Sequence, residues 1–88
     1  MPYRVEIAPA AGRDLKRFPS QVRGRLEPEI LALRDEPRPH GVRKIQGEER
    51  AYRISVGDYR VVYEVYENEK LVVILRVVRR YESSYRKA

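Results

Sequence analysis

The sequence predicts one α+β domain in which two helices pack on a β-sheet. The first half has apolar residues at helical spacing, the second half alternates between polar and apolar residues, and a short connector joins them. A chain of 88 residues is long enough for one domain, residues 1–88, but not for two. We therefore expect a two-layer fold with an N-terminal strand and an antiparallel helical hairpin packed on a twisted antiparallel β-meander.

The first half is predicted to form a short strand and two helices. Polar and apolar residues alternate from Tyr3 to Ile7, and Pro9 ends this strand. Apolar residues at helical spacing then form two series, Ala11, Leu15 and Phe18, and Val22, Leu26, Ile30 and Leu33. Pro19 and Ser20 separate the two helices, and Pro37 ends the second. Because Pro28 removes a backbone hydrogen bond inside the second series, we expect a kink or break there.

The second half is predicted to form three consecutive strands, residues 51–56, 59–67 and 71–78, which are rich in Val, Ile, Tyr and Leu. Gly57 and Asp58 between the first two strands are typical of a two-residue hairpin turn. Such a turn pairs Val56 with Tyr59 and Ser55 with Arg60. The helices should cover the face of Tyr52, Ile54, Val56, Tyr59, Val61 and Tyr63.

The opposite face of this hairpin should carry Arg53 and Arg60 as diagonal neighbours, about 7–8 Å apart at the backbone. The next turn fixes where Arg76 points. A three-residue loop would place Arg76 beside Arg60 and keep Leu71, Val73, Leu75 and Val77 in the core, with Arg80 continuing the cationic face. A loop of even length would bury Arg76, which costs several kcal/mol unless the charge is paired. We therefore predict the odd loop.

The charge distribution indicates a polyanionic partner. The net charge is +6, and residues 76–88 contain five cations against the single acid Glu82. Cationic side chains on an open sheet surface near Tyr81 and Tyr85 are typical of single-stranded RNA binding, which combines phosphate contacts with base stacking. The alternative is a solvated outer surface that only keeps the protein soluble.

Several classes of function are disfavoured by the composition. The chain has no cysteine and one histidine, His40 in the proline-rich connector, so neither a disulfide nor a metal site is expected. No glycine-rich loop leads into a helix as nucleotide binding would need, and no cofactor is predicted. No apolar run approaches the length of a membrane span, which favours the reducing cytoplasm. A domain this small often depends on a partner protein.

The chain resembles the RelE/ParE toxin superfamily over nearly its whole length. The specific segment is Tyr52-Arg53-Ile54-Ser55-Val56-Gly57-Asp58-Tyr59-Arg60-Val61-Val62-Tyr63-Glu64. Further pieces follow the same order as in the family: Tyr3-Arg4-Val5, Ala11-Gly12-Arg13-Asp14-Leu15, Asp35-Glu36-Pro37-Arg38, Val78-Arg79-Arg80 and Tyr85-Arg86.

The resemblance implies a toxin of a type II toxin–antitoxin system. RelE members enter the ribosomal A site and cut mRNA without a metal, by attack of a ribose 2′-hydroxyl that leaves a 2′,3′-cyclic phosphate, and an acidic antitoxin holds them inactive. By position, the catalytic set would be Arg53, Arg60, Arg80 and Tyr85, with RNA contacts from Ser55, Arg76, Arg79, Tyr81, Arg86 and Lys87. Ser55 stands where cleaving members usually carry Lys or Arg. Two alternatives stay open: a ParE-like toxin that binds DNA gyrase without cleaving RNA, and a non-toxic basic module that binds an antitoxin.

Overall fold

The computed structural model describes residues 2–80, which form two helices and five strands. In chain order these are β1 (Arg4–Ile7), α1 (Pro9–Arg17), α2 (Ser20–Ala32), β2 (Arg43–Lys44), β3 (Ala51–Val56), β4 (Tyr59–Tyr66) and β5 (Leu71–Arg79). The strand order in the sheet is β1-β5-β4-β3-β2, with antiparallel pairing from β2 to β5. The α+β prediction is confirmed. The sheet is mixed, however, because β1 runs parallel to β5.

The β3–β4 hairpin has the predicted register. Val56 pairs with Tyr59 and Ser55 with Arg60. Gly57 has a φ of 58° while Asp58 does not have a positive φ, the combination that a type II′ turn requires. The tip of this hairpin also touches the helical layer, because the Arg25 guanidinium of α2 lies where a Cβ on Gly57 would stand.

The prediction for the β4–β5 loop is wrong. Tyr66 pairs with Leu71, so the loop holds the four residues from Glu67 to Lys70. This even length places Val72 and Ile74 in the core, where the odd loop had placed Val73 and Leu75. The register then shifts at Val62/Tyr63, since Tyr63 pairs with Ile74 and Val62 with Arg76. The resulting β-bulge at Leu75 returns Val77 to the core, so only the far end of β5 has the predicted phase.

The helical hairpin follows the predicted boundaries. Pro9 is the first residue of α1, where its missing amide hydrogen costs nothing. At the other end, Arg23 of α2 donates from Nη1 to the carbonyl oxygens of Phe18 (2.5 Å) and Leu15 (3.4 Å). The Leu15 oxygen also accepts from the Phe18 amide at 3.3 Å, so the end of α1 is capped by α2 and by its own last turn. The break predicted at Pro28 is absent, because α2 is continuous from Ser20 to Ala32. Pro28 lies on the exposed side of α2, so water can reach the carbonyl group that it leaves unpaired.

The core lies between the helices and one face of the sheet. Its members are Ala11, Phe18, Leu26, Ile30 and Leu33 from the helical layer and Ile54, Val61, Tyr63, Val65, Val72, Ile74 and Val77 from the sheet. Tyr63 is completely buried, and its hydroxyl donates to the Pro37 carbonyl oxygen at 2.7 Å. Burial raises the pKa of Tyr63 well above its ordinary value. Neither described helix is both long and apolar enough to cross a bilayer.

Candidate nucleic-acid interface

Arginines from three adjacent strands lie on the sheet face that the helices do not cover. Arg43 of β2 pairs with Arg53 of β3, and Arg60 of β4 stands opposite Ser55. Residues paired across strands share a face, so the predicted juxtaposition of Arg53 and Arg60 is confirmed and Arg43 joins them. We call Arg43, Arg53 and Arg60 the basic face. The sequence had not indicated Arg43, because a two-residue strand has no alternation to read.

Buried valines form the floor of the basic face. Val62 is the partner of Arg53, and Val78 is the partner of Arg60. The two valines are 4% and 1% exposed and lie outside the core cluster under the helices. The basic face therefore combines long cationic side chains with an apolar base.

Arg80 and Arg79 differ in placement although they are adjacent. The Arg80 amide donates to the Asp58 carbonyl oxygen at 2.7 Å, so the chain beyond β5 lies against the β3–β4 turn. Arg79 pairs with Tyr59, whose ring packs on Phe18 of the helical layer with centroids 5.0 Å apart. Strand alternation thus places Arg79 on the helical side of the sheet, while Arg80 is fixed by its backbone beside the β3–β4 turn.

Part of the predicted site lies outside the described residues. Tyr81, Tyr85, Arg86 and Lys87 all fall beyond residue 80, and their assignments to catalysis and RNA contact stay predictions.

The backbone of Arg76 has the predicted phase, on the same sheet face as Arg53, but its side chain does not join Arg60. It pairs with Val62, and its guanidinium binds Asp14 of α1, with Nε at 2.7 Å from Oδ2 and Nη2 at 3.0 Å from Oδ1. The sequence had not indicated Asp14 as the partner of this charge. The pairing draws Arg76 toward α1 and away from Arg53 and Arg60.

Asp14 also completes the hydrogen bonding of the sheet edge. β1 ends at Ile7, opposite Ile74, and the next stretch of β5 lies against α1. There Asp14 Oδ2 accepts from the Val77 amide at 2.8 Å, while Arg17 donates to Oδ1 at 3.0 Å. Sequence reasoning missed this residue, although Asp14 lies three residues after Ala11 on the apolar side of α1. An acid on a buried helical face was the available signal.

The environment of Asp14 favours its charged form. Burial by itself would raise the pKa of this carboxyl group. The hydrogen bonds from Arg76 and from the Val77 amide, with the charges of Arg76 and Arg17, outweigh that effect and lower the pKa below its ordinary value. The Asp14–Arg76 pair is therefore ionised at neutral pH.

The opposite end of the sheet is rich in acidic and phenolic groups. Tyr3 donates to Glu67 Oε1 at 2.6 Å, Arg38 forms an ion pair with the same carboxylate, and Arg38 Nε donates to the Tyr52 hydroxyl at 3.1 Å. The hydrogen bond from Tyr3, with that from Arg38, lowers the pKa of Glu67. Glu64 and Tyr66 hydrogen bond at the same end, at 2.7 Å. The carboxylates of Glu64 and Glu67 thus lie at the end of β4 that is distant from the β3–β4 turn.

Comparison with known proteins gives the family. The model of the ParE toxin of type II toxin–antitoxin systems (parDE) matches residues 5–83. Toxin RelE of Mycobacterium tuberculosis is 33% identical over 86 residues, covering 97% of this chain and 88% of that protein. The archaeal RelE–RelB complex from Pyrococcus horikoshii contains a chain with a TM-score of 0.81 and 32% identity, covering 94% of this chain and 100% of that one. A chain of the toxin–antitoxin complex RelBE2 from Mycobacterium tuberculosis has a TM-score of 0.81 and 27% identity, covering 93% and 95%. The chain therefore belongs to the RelE/ParE superfamily of type II toxin–antitoxin toxins.

Proposed function

We propose that this toxin stops translation by cutting mRNA on the ribosome, in the cytoplasm. The observation that carries the proposal is the convergence of Arg53, Arg60 and the chain at Arg80 at one end of the outer sheet face. Guanidinium groups carry forked donors whose geometry matches the oxygens of a phosphate. Single-stranded RNA is a polyanion that proteins bind through such cationic surfaces together with aromatic side chains.

The proposed reaction needs no metal. A ribose 2′-oxygen attacks the adjacent phosphorus and loses its proton, while the bond from phosphorus to the 5′-oxygen of the next nucleotide breaks. The products are a 2′,3′-cyclic phosphate and a 5′-hydroxyl group that has taken up a proton. Negative charge grows on the non-bridging oxygens, and fixed cations stabilise such a transition state most strongly.

The arginines divide this work by position. Arg60, in the middle of the proposed site, stabilises the charge on the phosphate oxygens, and Arg53 on the neighbouring strand orients the scissile phosphate. Arg80, next to the turn, assists the departing 5′-oxygen. Tyr85, outside the described residues, stacks on a base or exchanges a proton. We leave Arg76 out of the RNA contacts, because Asp14 holds it.

Primer extension on mRNA from a cell-free translation reaction tests the proposal. Addition of the toxin should produce cuts inside translated codons, and Arg60→Ala should reduce cutting by roughly 100-fold, as loss of a single transition-state donor does. Lys16→Ala on α1 removes the same charge from the helical layer and is the matched control. Uncut mRNA under translation arrest, or full cutting by Arg60→Ala, would contradict the assignment.

A second candidate is binding and poisoning of DNA gyrase without RNA cleavage. Ser55 favours it, since this exposed residue opposite Arg60 supplies a hydroxyl group where cleaving relatives place a cation. The matched family model, that of ParE toxins, favours it too. A gyrase supercoiling assay separates the candidates, because inhibition there with intact mRNA selects the second.

We further propose an acidic antitoxin as the partner. The net charge of +6 and the basic face give an acidic segment a complementary surface, and two of the similar structures are toxin–antitoxin complexes. Affinity purification of the toxin from its own cells should yield a complex with a small acidic protein. A complex that relieves growth arrest supports the pairing, and harmless expression of the toxin alone favours the non-toxic module.

A further inference from the structure

The tip of the β3–β4 hairpin is held from two directions. From the C-terminal side, the Arg80 amide donates to the Asp58 carbonyl oxygen at 2.7 Å. From the helical side, the Arg25 guanidinium lies against Gly57, where an added Cβ would stand 3.1 Å from Cζ and 3.4 Å from Nη1. The tip is therefore packed between α2 and the chain that follows β5.

Close contact with Arg25 depends on the residue at position 57. Glycine supplies the φ of 58° that the turn needs, and its missing Cβ leaves room for the guanidinium plane. Glycine also has more conformational freedom than any other residue, so a turn that contains it can move when nothing covers it. A flat side chain packed on this turn restricts that motion.

We infer that Arg25 is a positioning residue for the proposed cleavage, acting through the Gly57–Asp58 turn. Arg60 stands two residues after Asp58, and Arg80 is attached to Asp58 by its backbone, so both arginines take their position from this turn. Displacement of a catalytic group by about 1 Å can cost about 100-fold in rate. This role rests on the proposed function. In it, the flat guanidinium group of Arg25 packs on the turn and limits its motion, and the charge of the group is not required.

Three variants distinguish shape from charge. Arg25→Gln keeps a planar group without charge, Arg25→Lys keeps charge without the plane, and Arg25→Ala keeps neither. Arg25 is exposed, so all three should fold with an unchanged urea midpoint. Lys16→Ala, also exposed and in the helical layer, is the control for loss of one positive charge.

The first measurement is hydrogen exchange of the Arg80 amide in the free toxin, which needs no activity. Arg25→Ala should expose this amide about tenfold more often, because local opening of the turn becomes easier, and Arg25→Gln should remain near the parent protein. The second measurement is mRNA cleavage, where Arg25→Ala should lower kcat about tenfold with KM nearly constant, and Arg25→Gln should recover more of kcat than Arg25→Lys.

The outcomes separate this inference from the function on which it rests. Unchanged Arg80 exchange in Arg25→Ala overturns the inference, as does recovery by Arg25→Lys but not by Arg25→Gln, which would mean direct attraction of RNA by charge. A parent protein that cuts no mRNA refutes the proposed function and with it the catalytic consequence, while the exchange result still decides whether Arg25 holds the turn.

Discussion

Replacement of Asp14 by alanine should destabilise the fold more than any change at an exposed charge. Asp14 is 1% exposed and accepts hydrogen bonds from Arg76, Val77 and Arg17. Breaking a fully buried ion pair costs about 3–5 kcal/mol. Arg76 retains 28% of its side-chain exposure and can regain some hydration, so we expect about 3 kcal/mol for Asp14→Ala, including the Val77 amide left without its acceptor.

Chemical and thermal unfolding followed by circular dichroism measure this loss. For a domain of this size, about 3 kcal/mol corresponds to a decrease in Tm of roughly 12–24 °C. Arg17→Ala is the matched control, since Arg17 binds the same carboxylate while 61% exposed and should cost less than about 1 kcal/mol. A loss below about 1 kcal/mol for Asp14→Ala would refute the role given to the buried pair.

The remaining predictions concern pH, the hairpin turn and the core hydroxyl group. The folded state lowers the pKa of Asp14, so the contribution of its charge to stability is complete above the unfolded pKa of about 3.9 and is lost as pH falls through the lower folded value. At pH values below about 4, the urea midpoint of the protein should therefore decrease with pH. The decrease should be less steep in Asp14→Asn. Gly57→Ala should cost about 1–3 kcal/mol in urea unfolding, since alanine is strained at a φ of 58° and displaces Arg25, whereas Gly24→Ala, with open space around the new methyl group, should not destabilise the protein. Tyr63→Phe should cost about 1–3 kcal/mol, because the Pro37 carbonyl group loses its buried donor; an unchanged midpoint would show that water replaces the hydroxyl group there.

Turn residues and apolar spacing predicted the parts of the fold that depend on residues close together in the sequence. The Gly57-Asp58 turn fixes the β3–β4 register and therefore the common face of Arg53 and Arg60, and the apolar spacing located both helices. The parallel partner of β1 depends on packing between distant segments, so alternation from Tyr3 to Ile7 could not reveal it. The bulge at Leu75 likewise depends on the loop length and on Asp14 meeting β5, neither of which an isolated strand pattern contains.

The site was predictable only where it lies on regular strands. Arg53 and Arg60 follow from hairpin geometry, whereas Arg43 belongs to a strand too short to detect. The position of the Arg76 guanidinium was mistaken because an isolated strand pattern does not show that Asp14 of α1 meets the edge of β5 and binds this side chain. The role of Asp14 could have been predicted from the sequence, since a single carboxylate on the buried side of a cationic helix requires a hydrogen-bond donor.

The pairing of Arg4 with Leu71 constrains when this protein can fold during its own synthesis. β1 is the first of the described strands to leave the ribosome, and its sheet neighbour, β5, is the last. Until β5 emerges, β1 has no strand in the sheet with which to pair. Such long-range closure makes folding slow and largely post-translational. A protein built this way completes its sheet only after β5 has been synthesised, which leaves an interval in which a partner can bind the unfinished fold.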